Sequence, residues 1–139
     1  MRRTDPFTSF ATIQKQYNNH VHQHHSGMTE FAIVLTTMPD DDRADELART
    51  LIVERLAACV NVHGPMIATY RWKGTVERAV ERQLVIKTTR DRVTALEVRM
   101  RELHPYELPE LIIIPVDGGS DAYLDWLRQE TQRGGIDES

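Results

Sequence analysis

The heptapeptide HPYELPE, from His104 to Glu110, concentrates an imidazole, a phenol and two carboxylates within a short stretch. Such groups act as metal ligands and as proton donors or acceptors in catalysis. Pro105 and Pro109 hold their own φ at about −65° and push the preceding residues out of helical geometry, so the stretch is predicted to be a stiff connector between a helix and a strand. Local physics leaves two interpretations open, a site with precisely aimed groups or a rigid joint.

Cys59 and a histidine cluster are the other candidate metal-binding groups. Cys59 is the only cysteine, so no intrachain disulfide can form, which fits a reducing compartment. A lone cysteine opening an apolar strand is also typical of a small buried side chain with a protonated thiol. The stretch HVHQHH, residues 20–25, holds four imidazoles that could capture Cu(II) or Zn(II). Adventitious binding is the alternative there, since nothing fixes the geometry of the ligands.

The composition excludes several classes of protein. The 139 residues are enough for one domain with a hydrophobic core, and the net charge of −4 lacks the basic excess that attracts DNA or RNA. No apolar run approaches the roughly 20 residues that span a bilayer. The sequence contains no Gly-rich phosphate loop and no GxSxG, HExxH or CxxC motif. Neither nucleic acid nor a membrane is predicted as a partner, an enzyme is not predicted, and the expected location is the cytoplasm.

Residues 1–28 differ from the rest of the chain. They carry three basic residues against one acid, a net charge of +2, while the remainder carries −6. They are rich in Thr, Asn, Gln and His and show no apolar periodicity, so they are predicted to be a flexible leader before a folded domain at 29–139. Arg2 and Arg3 leave organelle targeting as an alternative, although a long amphipathic stretch is missing.

Hydrophobic periodicity predicts four strands and three helices in the folded part. The predicted strands are Phe31–Thr37, 58–72 with an interruption at Gly64 and Pro65, Thr75–Thr88, and Leu111–Val116 buried on both faces. The predicted helices are Asp42 to about Leu56, Arg90–His104 and Ser120 to about Arg133. The order β-α-β-β-α-β with a terminal helix indicates an α+β, ferredoxin-like fold in which two helices cover one face of an antiparallel sheet.

The long β2–β3 hairpin predicts an oligomer. Each of its arms spans about 13 residues, or roughly 43 Å, whereas the outer strands of about six residues reach roughly 20 Å. Half of the hairpin therefore overhangs its own sheet, and pairing with a neighbouring subunit would satisfy the overhanging edges. A solvated arm bent at Pro65 is the alternative.

Five segments, in this order and spacing, closely resemble the CutA divalent-cation tolerance family over about Phe31 to Gln129. The segments are ERLAACVNV, YRWKG, KTT, HPYELPE and YLDWL. The resemblance implies a ferredoxin-like trimer whose long hairpins pair between subunits. It also implies a cytoplasmic protein linked to tolerance of copper and other divalent cations.

The resemblance also implies where ligands bind. Cys59 matches a family cysteine proposed as a soft-metal ligand, and the other matching positions surround an intersubunit cleft. On this basis the metal candidates are Cys59, His104 and Glu110. The candidate ligand-binding residues are Tyr70, Trp72, Lys87, Tyr106, Glu107 and Trp126, with Tyr123 also matching. This chain has Met66 where a glycine is usual and Ala68 where a serine is usual, which puts a ligand role of that turn in question.

The main functional hypothesis is a non-enzymatic homotrimer that responds to divalent metal ions and binds Cu(II) or another divalent cation near subunit boundaries, with no organic cofactor. The alternative is a small-molecule sensor like the trimeric PII-type proteins, in which a cleft lined by Trp72, Lys87 and Tyr106 holds an anionic metabolite. That alternative depends on analogy of fold. A hydrolase or isomerase using His104 and Glu107 is a third reading.

Overall fold

A computed structural model describes residues 29–133. Its strands are β1 (Phe31–Pro39), β2 (Cys59–Trp72), β3 (Thr75–Thr89) and β4 (Ile112–Val116). Its helices are α1 (Asp42–Val53), α2 (Val93–Leu103), preceded by a 3-10 turn at Arg90–Arg92, and α3 (Asp121–Glu130). The predicted order of strands and helices is confirmed. The predicted leader, residues 1–28 with the histidine cluster, lies outside the described residues.

The four strands form one antiparallel sheet in the order β2-β3-β1-β4. Alternate residues of β1 are fully buried, as expected for a strand with one face against a core. On this face of the sheet, Val34 and Met38 of β1 are joined by Leu84 of β3. They pack with Leu47 of α1 and Leu96 of α2. Both helices therefore cover the same side of the sheet. None of the helices within 29–133 has the length and apolar character that a membrane crossing requires.

Local capping explains where the helices begin and end. The Asp41 carboxylate accepts a hydrogen bond from the Arg43 N–H at 2.9 Å and so caps α1, in the position that favours an acid. The helix was predicted to reach Leu56, but it ends at Val53 because Arg55 adopts a φ of 57°. α2 ends at Leu103, in agreement with the predicted stop before Pro105.

The overhang of the β2–β3 hairpin is confirmed. The last pair between β1 and β3 joins Pro39 to Glu81, whereas β2 and β3 continue to pair as far as Trp72 and Thr75. Residues 67–80, hereafter the arm, thus extend six residue pairs beyond β1, roughly 20 Å. The register between the two strands shifts between His63 and Met66, which confirms the predicted irregularity at Gly64 and Pro65.

The sheet face opposite α1 and α2 is only partly covered. α3 packs over one end of it, where Leu127 contacts Phe31 and Ala58. The rest, hereafter the open face, consists of side chains from β1, β3 and β4: Ile33, Leu35, Val85, Ile112 and Ile114.

The prediction that β4 is buried on both faces is wrong for the single chain. Ile112 and Ile114 are 48% and 40% exposed, because both long helices lie on the other side of the sheet. Ile113, on the other face of β4, packs against the main core. An apolar surface of this kind on a β-strand requires a cover.

Candidate functional site

The residues that join α2 to β4, 104–111, form a connector that lies against the arm. Between connector and arm runs an open groove of about 910 Å³, hereafter the connector groove. It is lined by Thr37, Met66, Ala68, Tyr70, Trp72, Ala79, Glu81, Gln83, Pro105, Tyr106, Glu107, Leu108, Pro109 and Glu110. Ala68 and Ala79 are paired across the arm, and two small side chains at adjacent positions leave room above the strands.

The most deeply buried charge in the groove is the Glu81 carboxylate. Glu81 is only 7% exposed, and the Tyr106 hydroxyl donates a hydrogen bond to its Oε1 at 3.2 Å. Burial, reinforced by the negative charge of Glu81, raises the pKa of Tyr106 to about 12. The phenol therefore stays protonated at neutral pH, as a donor to the carboxylate must.

Gln83 fixes the far end of the connector. Its Nε2 donates hydrogen bonds to Glu110 Oε2 at 2.9 Å and to the Thr36 carbonyl at 2.7 Å. One amide thus ties β3 to β1 and to the last turn of the connector. The Glu110 carboxylate is held in place by this bond rather than left free in solvent.

The His104 ring anchors the near end. His104 is 9% exposed, and its Nε2 lies 2.7 Å from the Thr37 carbonyl. Its Nδ1 accepts a hydrogen bond from the Tyr106 N–H at 3.2 Å. This pattern assigns the proton to Nε2, which donates to Thr37. Both ring nitrogens are therefore engaged by protein groups that shape the connector.

The stability of the protein should fall on mild acidification because of His104. Burial lowers the pKa of His104 below its usual 6.5, although the Thr37 hydrogen bond and Glu81 act against this. The folded state therefore takes up the proton at lower pH than the unfolded state does. The contribution is complete above the unfolded pKa and is lost as pH falls through the folded one. Urea midpoints measured between about pH 7 and pH 5 should show this decline.

His104→Gln should flatten the decline over that pH window. His63→Gln, a change at an exposed imidazole on β2, is the matched control and should leave the slope unchanged. A wild-type slope preserved in His104→Gln would show that another group titrates.

The other candidate ligand-binding residues lie elsewhere on the chain. Cys59 is paired with Lys87 across β2 and β3, and the Lys87 ammonium is 6.0 Å from the centre of the Tyr123 ring. The rings of Tyr123 and Trp126 are 5.5 Å apart and 42% and 40% exposed. Lys87 and Glu81 are both on β3, six residues apart, which is roughly 20 Å along a strand.

The predicted ligand-binding residues therefore divide into two groups within one chain. Tyr70, Trp72, Tyr106 and Glu107 line the connector groove, together with Glu110. Lys87 and Trp126 do not, because they lie toward the α3 end of the sheet. The cleft of Trp72, Lys87 and Tyr106 predicted for an anionic metabolite is not assembled by a single chain.

The three predicted metal ligands do not meet either. Within residues 29–133 no group of three His, Cys, Asp or Glu side chains could hold one metal ion. Cys59 is partly buried at the beginning of β2, on the opposite side of β3 from the strand that His104 contacts. The ring nitrogens of His104 are engaged as described. One chain by itself does not fit a divalent cation with these residues.

Glu81 and Gln83 were missed by the sequence analysis. Their signal was the alternation in VERAVERQ, which places Ala79, Glu81 and Gln83 on one face of β3. This alternation puts Glu81 and Gln83 on the same face as Ala79, and all three line the connector groove.

The segment from β1 to α3 matches a known protein family. The family model described as CutA1 divalent ion tolerance protein matches residues 32–130. The chain belongs to the CutA1 family. The matched range includes β1 through α3, and hence both groups of candidate residues.

Individual CutA1 relatives are similar across this range. The divalent-cation tolerance protein CutA of Thermus thermophilus is 42% identical over 99 residues, which are 71% of this chain and 96% of that protein. Protein CutA of Homo sapiens is 43% identical over 96 residues, 69% of this chain but only 54% of the human protein. Among solved structures, CutA from Xylella fastidiosa has a TM-score of 0.72 at 40% identity, covering 75% of this chain and all of its own.

Proposed function

We propose that this CutA1 chain acts as a ferredoxin-like homotrimer in the cytoplasm. In this proposal it mediates tolerance of copper or another divalent cation without catalysing a reaction. The observation that carries the proposal is the arm, which extends six residue pairs beyond β1 and, within residues 29–133, has no strand partner on that side. The family match and the printed description of its members as divalent-cation tolerance proteins support the assignment to cation response.

Assembly would remedy two defects of the isolated chain. The open face exposes Ile112 and Ile114, and the arm exposes strand edges, both of which favour pairing with another copy. A head-to-tail contact in which each arm meets its neighbour's open face closes into a ring if the rotation is one third of a turn. Such a ring brings one subunit's connector groove toward the next subunit's Lys87 and Trp126.

The proposed metal response depends on this assembly. Cys59 and Glu110 supply the thiolate and carboxylate that Cu(II) or Zn(II) would use. His104 contributes by holding the connector, since its nitrogens already bond to Thr37 and Tyr106. Ligands drawn from different subunits, with few per ion, predict weak binding rather than a permanently occupied site.

Calorimetric titration of the assembled protein tests this proposal. Cys59→Ser should weaken Cu(II) binding by about tenfold or more, the usual effect of losing a metal ligand or its support. Zn(II), which does not oxidise thiols, provides the matching titration without redox chemistry. Glu110→Gln should weaken both metals, whereas Glu102→Gln on α2 should change neither.

Deletion of residues 1–27 separates this site from the histidine cluster. Binding that survives the deletion but is lost in Cys59→Ser supports a site in the folded domain. Binding that is unchanged in Cys59→Ser and lost on deletion would move the metal site to residues 20–25 and overturn the proposal.

A further inference from the structure

We propose that the loop between β4 and α3 carries a site of spontaneous covalent modification, at which Asp117 isomerises to isoaspartate. The inference concerns the main chain itself and does not depend on the proposed function. It follows from the dipeptide Asp117-Gly118, from the way the structure holds that dipeptide, and from the close packing of the loop against α3.

The reaction takes place within the chain. The backbone nitrogen of Gly118 attacks Cγ of the Asp117 side chain, so that a new C–N bond forms. The carboxyl hydroxyl and the amide hydrogen leave as one water, and the product is a cyclic succinimide. Water then opens the ring. Opening at the main-chain carbonyl routes the chain through the side chain and gives isoaspartate. The net reaction gains and loses no atom, and it needs no oxidant, metal or enzyme.

Gly118 is the neighbour that favours this ring closure most. A glycine has no Cβ to crowd the attacking nitrogen, and it adopts backbone conformations that are costly for other residues. Among all the aspartates and asparagines of the chain, Asp117 alone precedes a glycine. Gly119 follows directly, so two consecutive glycines give this backbone its freedom.

The structure leaves the dipeptide able to close the ring. The last pair of β4 joins Val116 to Phe31 and α3 begins at Asp121, so residues 117–120 belong to neither a strand nor a helix. Within residues 29–133, no hydrogen bond or ion pair engages the Asp117 carboxylate or the Gly118 N–H. Ring closure therefore breaks no such interaction. Because water is the only other reactant, the reaction does not require an open surface.

Isomerisation should loosen the beginning of α3. Isoaspartate adds one methylene group to the main chain ahead of Ser120, whose Oγ accepts a hydrogen bond from the Tyr123 N–H at 3.3 Å and so caps the helix. The loop has little room for the extra atom, since even a Cβ on Gly119 would lie 3.3 Å from Leu124 Cδ2. Leu124 packs against the cluster that includes Leu127. A longer loop therefore disturbs both the cap and this packing.

Ageing of the full chain tests the site. The protein is kept for several weeks at neutral pH and physiological temperature and is then digested with trypsin, which releases the peptide 102–128. Electron-transfer fragmentation distinguishes isoaspartate from aspartate of equal mass. Isoaspartate should form at Asp117 about tenfold faster or more than at Asp121 and Asp125. Both of these lie in α3 of the same peptide and precede residues other than glycine.

Variants test the chemistry. Gly118→Ala should slow the reaction about fivefold or more, because the added Cβ restricts the conformations that close the ring. Asp117→Glu should reduce isoaspartate in the whole chain to background, since a glutamate would have to form a six-membered ring. An isoaspartate methyltransferase with labelled S-adenosylmethionine counts the modified residues. Asp121→Glu is the matched control and should leave the rate at Asp117 unchanged. If Gly118→Ala does not fold by circular dichroism, Asp117→Glu carries the test.

Pulse proteolysis tests the effect on α3. Aged protein is exposed briefly to a protease at urea concentrations within its unfolding transition, where cleavage reports the unfolded population. The digested fraction should contain about threefold more isoaspartate than the surviving fraction, because loss of a cap and of packing lowers the free energy of unfolding.

Three results would overturn the proposal. Isoaspartate that forms no faster at Asp117 than at Asp121 and Asp125 would show that the loop is held against ring closure. A rate unchanged in folded Gly118→Ala, or isoaspartate that persists in Asp117→Glu, would assign the reaction to another residue. Equal isoaspartate in the digested and surviving fractions would separate the modification from α3. None of these measures metal binding or subunit mass, so failure of this inference is distinguishable from failure of the proposed function.

Discussion

Ile114→Glu is expected to convert the assembled protein into folded single copies. Ile114 lies on the open face, 40% exposed in the isolated chain and paired with Ile33 of β1. In the proposed trimer this face is covered, so each subunit would bury a new carboxylate against apolar side chains, at a cost of several kcal/mol per site. In the separate chain the same carboxylate remains in contact with water, and the fold should survive.

Light scattering at low micromolar concentration measures this outcome. The wild type should give about 48 kDa, three times the 16.0 kDa of one chain, and Ile114→Glu should give the mass of one chain. Val98→Glu is the matched control, because Val98 is 55% exposed on α2, on the helical side, and it should remain assembled. A wild type that is itself a stable single copy would remove the basis of the proposed function.

The arm could be predicted from the sequence because the features that define it lie close together along the chain. Strand propensity, the Lys73-Gly74 turn and the lengths of β2 and β3 all lie within one hairpin, so counting residues was enough to foresee the overhang. For β4 the sequence indicates that its second apolar face needs a cover which the two helices on the other side of the sheet do not supply. A continuous apolar run such as LIIIPV indicates burial on both faces but does not say whether the cover comes from the same chain. The extent to which Ile112 and Ile114 are exposed in one chain, 48% and 40%, needed the structure.

For the connector, too, the sequence predicted the local conformation but not the contacts with residues distant in the chain. The two prolines predicted a stiff, non-helical segment, and α2 does end at Leu103. The partner of Tyr106 is Glu81, which lies 25 residues earlier in the chain. No spacing rule connects the two, because their contact depends on how the arm and the connector cross. The family resemblance named Tyr106 and Glu107 but not the buried carboxylate that sets the charge of the groove.

The β-bulge in β2, at the register shift between His63 and Met66, affects both groups of candidate residues. The reason is that the direction of the arm decides where these residues lie. The register shift between His63 and Met66 sets that direction, as β-bulges do by bending the strand that carries them. If the arm extended in another direction, Trp72 and Tyr106 would no longer line the same groove within one chain. The arm would also be misplaced against a neighbouring copy.

Gly64→Ala is therefore expected to cost more than a typical glycine substitution. Gly64 adopts a φ of 126°, and an added Cβ would lie 3.1 Å from Arg82 Cα and 3.2 Å from the Glu81 carbonyl oxygen. Both contacts are with backbone, which cannot rotate away as a side chain can. Backbone strain of this kind costs about 1–3 kcal/mol, and the crowded contacts add to it. We expect a loss of about 3 kcal/mol or more in the free energy of unfolding.

Gly74→Ala provides the matched control at the other end of β2. Gly74 also has a positive φ, 82°, but nothing lies within 4 Å of an added Cβ, so the loss should be only about 1 kcal/mol. Urea unfolding at equal protein concentration compares the two, since the stability of an assembly depends on concentration. Light scattering should in addition show weaker assembly for Gly64→Ala alone, because the strain lies where the arm is aimed. Equal losses for both variants, with assembly intact, would mean that the bulge tolerates a side chain and does not control the arm.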